Sequence, residues 1–570
     1  MTTAVAIAVA LLAVPVVSAP TPAQAVGQTY FPVSGAGSTW SANAIQQWVR
    51  NVFDNYKWKV TFDDSGSSAG RQLFGQGTVD FAVSEIPYAL SGSDSADPRP
   101  KRQFAYMPIV AGGTSFMYNL VIGGKRVTNL RLSGDSVAKI FTGVITKWND
   151  PAIVADNPKL ALPGTPIVPV VRSDGSGTTA QFTSWMRSQY PSIWSAYCAK
   201  AGRSNCGITS NYPTVAGSSF VAQSGSNGVA GYTAQTQSAG AITYVEYSYA
   251  RNSGFPVAKV LNSAGYYTEP TASNVAVSLL SAVINEDSLS PDYLTSQLKS
   301  VYTSPDPRTY PLSSYSYMII PTALENGFTE DKGLTLADFA SYFLCEGQQQ
   351  AEVLGYSPLP INLAQAGLKQ IQKIPGGNPK NKDTSGCNNP TFSADGTNKL
   401  AATAPQPQAC DKKGADQCLT GTGGSKGSTA ASAGTGTGTS GTKPAAATAA
   451  AASAAGGVAA TTSDGTSIDK NGSAVIDLTS SASRIVSCAP IELPQQRLGL
   501  PAVVLMSGAA LILLLFMLLP PFIGRHRAAI AGAPRGPTRR IRARRPAKAI
   551  VHLPARFTSR GRADASPSDS

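Results

Sequence analysis

The sequence predicts an α/β fold divided into two lobes, and three observations carry that reading. Between residues 26 and 408, apolar strand-like runs alternate with amphipathic segments: 58–62 then 69–77, 79–83, 104–110, 116–120, 167–172 then 178–188, and 242–244. A strand followed by a helix is the α/β pattern. The stretch is about 380 residues long, which two lobes bury more comfortably than one. Glycine and hydroxyl residues also gather where strands run into helices, which is where such sheets bind ligands.

In chain order, the first element is an apolar or small run, 3–20, followed by Ala23-Gln24-Ala25. That small-x-small site marks cleavage after Ala25, so residues 1–25 read as an export signal, although no Lys or Arg precedes the run. Next comes Gly35-Ala36-Gly37-Ser38-Thr39, opening a helical pattern of Ala42, Ile45, Trp48, Val49 and Val52. Glycine lets the backbone approach a ligand, while Ser38 or Thr39 offers a cap and a hydroxyl. Asp64-Ser65-Gly66-Ser67-Ser68-Ala69-Gly70 is a second turn of the same kind, with free N–H groups at a helix start. The third, Arg172-Ser173-Asp174-Gly175-Ser176-Gly177-Thr178-Thr179, adds an arginine whose rigid donor fork suits a tetrahedral oxyanion. One such turn is usually only a turn; three in one α/β body point to an anion site.

Seven cysteines face an oxidising compartment if the body is exported. Cys198 and Cys206 are eight residues apart, as are Cys410 and Cys418, and each spacing can close a short loop. Cys345 and Cys387 form a third candidate pair, and Cys488 is left over. Residues 409–418 then stand as a disulfide loop after the body. The stretch 419–466 is nearly all Gly, Ser, Thr, Ala and Pro, which buries too little to offset ordering entropy; it reads as a disordered stalk spanning about 40 Å. A juxtamembrane segment, 467–497, leads to the uncharged apolar run 498–523, whose 26 residues exceed the roughly 20 that cross a bilayer core.

The net charge of +13 suggests nucleic acid until it is located. From residue 522 on there are twelve Lys or Arg against two Asp, a net of +10 that leaves only +3 for the rest. Residues 524–570 thus form a basic tail that the positive-inside bias places in the cytoplasm, with the body outside, a single-pass topology. Anionic lipid headgroups are its expected contact, and no nucleic-acid partner is implied. Both histidines, His526 and His552, lie in this tail. The body therefore has no base for a histidine triad and no histidine ligand for zinc or haem, and neither a phosphate-loop motif nor a nucleophile elbow with a usable histidine is present. No catalytic residue, metal or cofactor is assigned, and binding is favoured over enzyme chemistry.

On these blocks, together with Val79-Asp80-Phe81-Ala82-Val83-Ser84-Glu85, the run 141–151 (Phe-Thr-Gly-Val-Ile-Thr-Lys-Trp-Asn-Asp-Pro) and the run 239–247, the body resembles the periplasmic phosphate-binding proteins of high-affinity phosphate ABC transporters. The resemblance covers about residues 28–370; stalk, span and tail fall outside it. It implies a two-lobed periplasmic-binding-protein fold, lobe I about 26–112 with 308–408 and lobe II about 113–307, closing on one orthophosphate. It further implies donors from Thr39, Trp40 and Ser67 on one side and from Arg172, Ser176, Gly177 and Thr178 on the other, with Asp174 orienting Arg172. Trp148 and Asn149 are expected to shape packing.

Two positions depart from the family pattern. Trp40 stands where a phenylalanine is usual, and Glu85 stands where the family has an aspartate. A carboxylate there accepts the proton of phosphate and repels fully ionised sulfate. The extra methylene leaves open a shifted pocket or another protonated oxyanion. The partners implied are inorganic phosphate and an ABC permease in the membrane. The competing reading is a membrane-anchored surface sensor or structural protein that reuses the fold.

Overall fold

The computed structural model describes residues 29–425, apart from 94–97, 205–206, 380–382, 385–386 and 394. The export signal, Cys206, Cys488, the juxtamembrane segment, the apolar run 498–523 and the basic tail lie outside the described residues. Among the described residues no helix is long and apolar enough to cross a membrane.

The first lobe is built from short strands feeding amphipathic helices. Strand β1 (Val33–Gly37) leads into α1 (Ala42–Tyr56), which buries Ala44, Ile45, Trp48 and Val52 on one stripe and ends at Lys57 in the left-handed conformation. Strand β2 (Val60–Asp63) alternates, Val60 and Phe62 inward, Thr61 and Asp63 outward. Helix α2 (Ser67–Gly75) and the fully buried strand β3 (Phe81–Ser84) follow, and β1 pairs in parallel with both β2 and β3.

Strand β4 (Phe104–Tyr118) joins the lobes. The sequence suggested two separate runs here, 104–110 and 116–120; the structure makes them one strand. The glycines between them explain the continuity. A Cβ on Gly112 would come 2.7 Å from the Trp40 ring, and one on Gly113 would overlap Pro270, so only glycine lets the strand pass so close to both.

The second lobe repeats the strand-into-helix arrangement with β5 (Val168–Arg172), α3 (Gly177–Gln189), β6 (Val221–Gln223), α4 (Gly225–Ala234), β7 (Ala241–Glu246) and α5 (Tyr247–Asn252). Helix α6 (Ala272–Leu279) precedes the return strand β8 (Ser313–Pro321). The sheet path runs β2-β1-β3-β8-β4-β7-β5-β6. The part of β4 from Phe104 to Gly113 pairs antiparallel with β8, and Thr114 to Tyr118 pair with β7. Two strands therefore connect the lobes near residues 112–114 and 313. Trp148 is fully buried with its indole N–H on the Gly240 carbonyl, a packing role, whereas Asn149 is exposed.

After helix α7 (Glu330–Leu344), disulfides join Cys345 to Cys387 and Cys410 to Cys418, and Cys198 is also disulfide-bonded. The chain then crosses once more. Helix α8 (Lys399–Ala402) packs Ala401 against Ala276 and Val277 of α6. Lys259 pairs with Asp411 at 2.7 Å, Thr422 N–H donates to the Thr128 carbonyl at 3.0 Å, and Gly423 N–H to Glu269 Oε1 at 2.9 Å. Two boundaries move as a result. Ala401 and Ala404 pack on α6, which the sequence reading placed in the other lobe, and the packed body reaches Ser425, seven residues into the stretch read as stalk. Composition missed this because small residues here are held by backbone hydrogen bonds, not by buried side-chain volume.

Candidate functional site

Three turns of the first lobe meet on one carboxylate. Glu85 follows β3 and is 1% exposed. Its Oε1 accepts from the Ser38 hydroxyl, in the turn from β1 into α1, and from Ser316 Oγ at 3.0 Å. Its Oε2 accepts from Ser67 Oγ, at the start of α2, at 2.8 Å. Ser316 reaches the site from β8, where the register with β4 shifts between Ser316 and Tyr317; such an irregularity re-aims a side chain. Ser38 Oγ also accepts from the Trp40 N–H at 3.0 Å, which ties the α1 turn to the same cluster.

The second lobe supplies the other wall. Arg172 ends β5 and is 3% exposed. Asp174 grips it bidentately, taking Nε on Oδ1 at 2.7 Å and Nη2 on Oδ2, and Oδ1 also accepts from the Gly225 N–H at 2.9 Å. Ser176 caps α3 by accepting from the Thr179 N–H at 3.1 Å. The hydroxyl of Thr178 is buried without a hydrogen-bond partner among the described residues.

The walls touch. Gly177 N–H donates to Ser67 Oγ at 3.1 Å, and Ser68 N–H donates to the Gly175 carbonyl at 3.0 Å. Thr39 Oγ1 and Ser226 Oγ are hydrogen-bonded at 2.8 Å, and Arg172 Nη1 donates to Ser226 at 3.4 Å. Gln181 Nε2 donates to the Glu85 carbonyl at 2.7 Å. The two lobes are in contact here, and Thr39, Trp40, Ser67, Glu85, Arg172, Ser176, Gly177 and Thr178, the residues singled out from the sequence, are all buried.

Charge follows burial and contact. Burial pushes Glu85 above the usual carboxylate range, against the hydroxyls of Ser38, Ser67 and Ser316 and the Arg172 charge, all of which favour the ion. For Asp174 burial acts upward too, but the Arg172 fork and charge and the Gly225 N–H together hold it below its ordinary value. The site thus offers a fixed cation, helix-start N–H groups, hydroxyls that donate or accept, and one buried carboxylate. Such a set has the donors and the acceptor that a proton-bearing tetrahedral anion requires. Among the described residues no His/Cys/Asp/Glu cluster is suited to a metal ion.

Sequence reasoning left out Ser226, Ser316 and Gln181. Ser226 carried a signal, because Ser224-Gly225-Ser226 between β6 and α4 is a fourth glycine-hydroxyl turn at a helix start. Ser316 carried none, since its place depends on the β4/β8 register.

A model of the PBP superfamily domain matches residues 19–346. The phosphate-binding protein PstS of Xylella fastidiosa is 32% identical over 343 residues, covering 60% of this chain and 84% of that one. The phosphate-binding protein PstS of Methanocaldococcus jannaschii is 30% identical over 350 residues, covering 59% and 85%. Phosphate-binding protein PstS 3 of Mycobacterium tuberculosis is 29% identical over 336 residues, covering 58% and 82%. The chain belongs to the PBP superfamily, within the family of phosphate-binding proteins PstS.

Proposed function

We propose that this protein captures inorganic phosphate outside the cell and passes it, unchanged, to an ABC permease in the membrane. The observation that carries the reading is the convergence of Ser38, Ser67 and Ser316 on Glu85, facing Arg172 and the start of α3 across a closed interlobe cleft. Helix-start N–H groups and Arg172 replace the water shell of the anion, and closure strengthens those bonds by excluding solvent. Glu85 supplies the acceptor for a ligand proton, which sulfate lacks. The apolar run 498–523 anchors the protein, with the body outside and the basic tail on the anionic headgroups of the inner leaflet.

The test is titration calorimetry of the purified protein with phosphate and with sulfate. Phosphate is expected to bind tightly and sulfate at least a hundredfold more weakly, roughly the 3 kcal/mol of one buried unpaired acceptor. Arg172→Ala should abolish measurable phosphate binding, and Glu85→Gln should narrow the phosphate-to-sulfate ratio, because an amide N–H can donate to sulfate. A folded protein that gives no phosphate heat at neutral pH defeats the proposal.

A further inference from the structure

The inference rests on the proposed phosphate capture and concerns a carboxyl group behind the anion site. Glu246 ends β7 opposite Thr114 of β4 and is fully buried. It caps α5, its Oε2 accepting from the Ser248 N–H at 2.8 Å, while Oε1 has no hydrogen-bond partner among the described residues. A Cβ on Gly112 would sit 3.3 Å from that oxygen and 2.7 Å from Trp40 Cη2. The carboxyl of one lobe and the indole of the other thus flank the same hinge glycine. The indole Nε1 is likewise buried without a hydrogen-bond partner.

Polar contacts lead from Glu246 to the turn carrying Thr39 and Trp40. Ser248 Oγ donates to the Tyr356 hydroxyl at 3.2 Å and accepts from Asn43 Nδ2 on α1 at 2.8 Å. The Tyr356 hydroxyl donates to the Trp40 carbonyl at 2.7 Å, and the Tyr249 hydroxyl donates to the Thr39 carbonyl. Both carbonyls of the turn are held by hydroxyls from the neighbourhood of Glu246.

We propose that Glu246 is a positioning residue for anion capture: as the neutral acid it lets the lobes close over the hinge and fixes the Thr39–Trp40 turn, and its ionisation weakens both. Burial pushes its carboxyl up to about 8, against the hydrogen bond from the Ser248 N–H that favours the ion. Among the described residues no lysine or arginine is paired with it. The titratable groups facing it are Tyr247 and Tyr249 of α5 and Tyr356, while Trp40, Asn43, Gly112 and Thr114 bring no charge from α1, its preceding turn and β4. Arg251 of α5 is turned to the Glu352 carbonyl, and Arg172 is held by Asp174.

The sign follows from linkage. With the lobes apart, water restores the carboxyl towards its ordinary 4.5, so closure takes up a proton at any pH between 4.5 and about 8. The contribution of Glu246 to phosphate affinity is full below that window, falls as pH rises through it, and is gone above about 8.

The experiment is calorimetric titration of the detergent-purified full chain with inorganic phosphate across that window, for wild type, Glu246→Gln and Tyr356→Phe. Ionisation of phosphate itself acts on all three alike, so the ratio to wild type is read. The Glu246→Gln to wild-type affinity ratio should rise on the order of fiftyfold between about pH 6 and 8 and then level. Tyr356→Phe, which spares the carboxyl but cuts its path to Trp40, should flatten the wild-type slope as well. Ratios constant with pH for both variants overturn the inference. A wild type that binds no phosphate at any pH overturns instead the function on which it rests.

Discussion

A Cβ on Gly177 would overlap Glu85 Oε2 and come within 2.7 Å of Ser67 Oγ, so a side chain at this position has no room while the cleft is closed. Gly177→Ala is therefore expected to cost about 1–3 kcal/mol in the closed form, lowering phosphate affinity on the order of tenfold or more in calorimetry. Its thermal midpoint should change little without ligand if the cleft can open to relieve the overlap. Residues of this kind were legible because their chemistry lies in local sequence: glycine and hydroxyls at a helix start, with an arginine alongside. Asp174 was legible for the same reason, two positions from the arginine it grips. Ser316 was not, because nothing in Ser313-Ser314-Tyr315-Ser316 tells which serine a shifted register will aim at Glu85.

Among the elements, the segment from α8 to Ser425 changes the account most. It leaves the first lobe beyond Cys387 and ends on the second, where Asp411 meets Lys259 and Thr422 bridges the Thr128 and Val257 carbonyls. A body ending at Gln408 strands Lys259, whose side chain is 14% exposed in the pair, and uncaps these carbonyls. Compared with a body ending at Ser425, it is expected to lose on the order of 3 kcal/mol, read as a lower denaturant midpoint at unchanged phosphate stoichiometry. Equal midpoints would show that the segment is only draped on the surface. The strand-into-helix pairs were legible from apolar runs and turn residues. The unbroken β4 was not, because glycines that end a strand by propensity here permit its close passage by Trp40 and Pro270.

At the scale of the molecule, an exported body, a low-complexity link and an uncharged 26-residue run before a basic tail make one proposal: a binding protein kept at the membrane that its permease occupies. Deleting 498–523 should move the protein from the membrane fraction to the medium with its phosphate affinity intact, measured by fractionation and calorimetry on the released form. Retention in the membrane fraction would remove this run as the anchor. The sequence by itself determined the α/β class, the glycine-hydroxyl turns at helix starts, the absence of histidine from residues 26–408 and the short spacing that closes as Cys410–Cys418, because each depends on residues near in the chain or on composition. Only the tertiary structure decided that Ser316 and Ser226 join the site, that Glu246 lies buried behind it, and that the chain returns to the second lobe before it leaves the body. Those facts depend on which distant segments pack together, and packing is set by the summed burial of the whole core, to which no local pattern gives access.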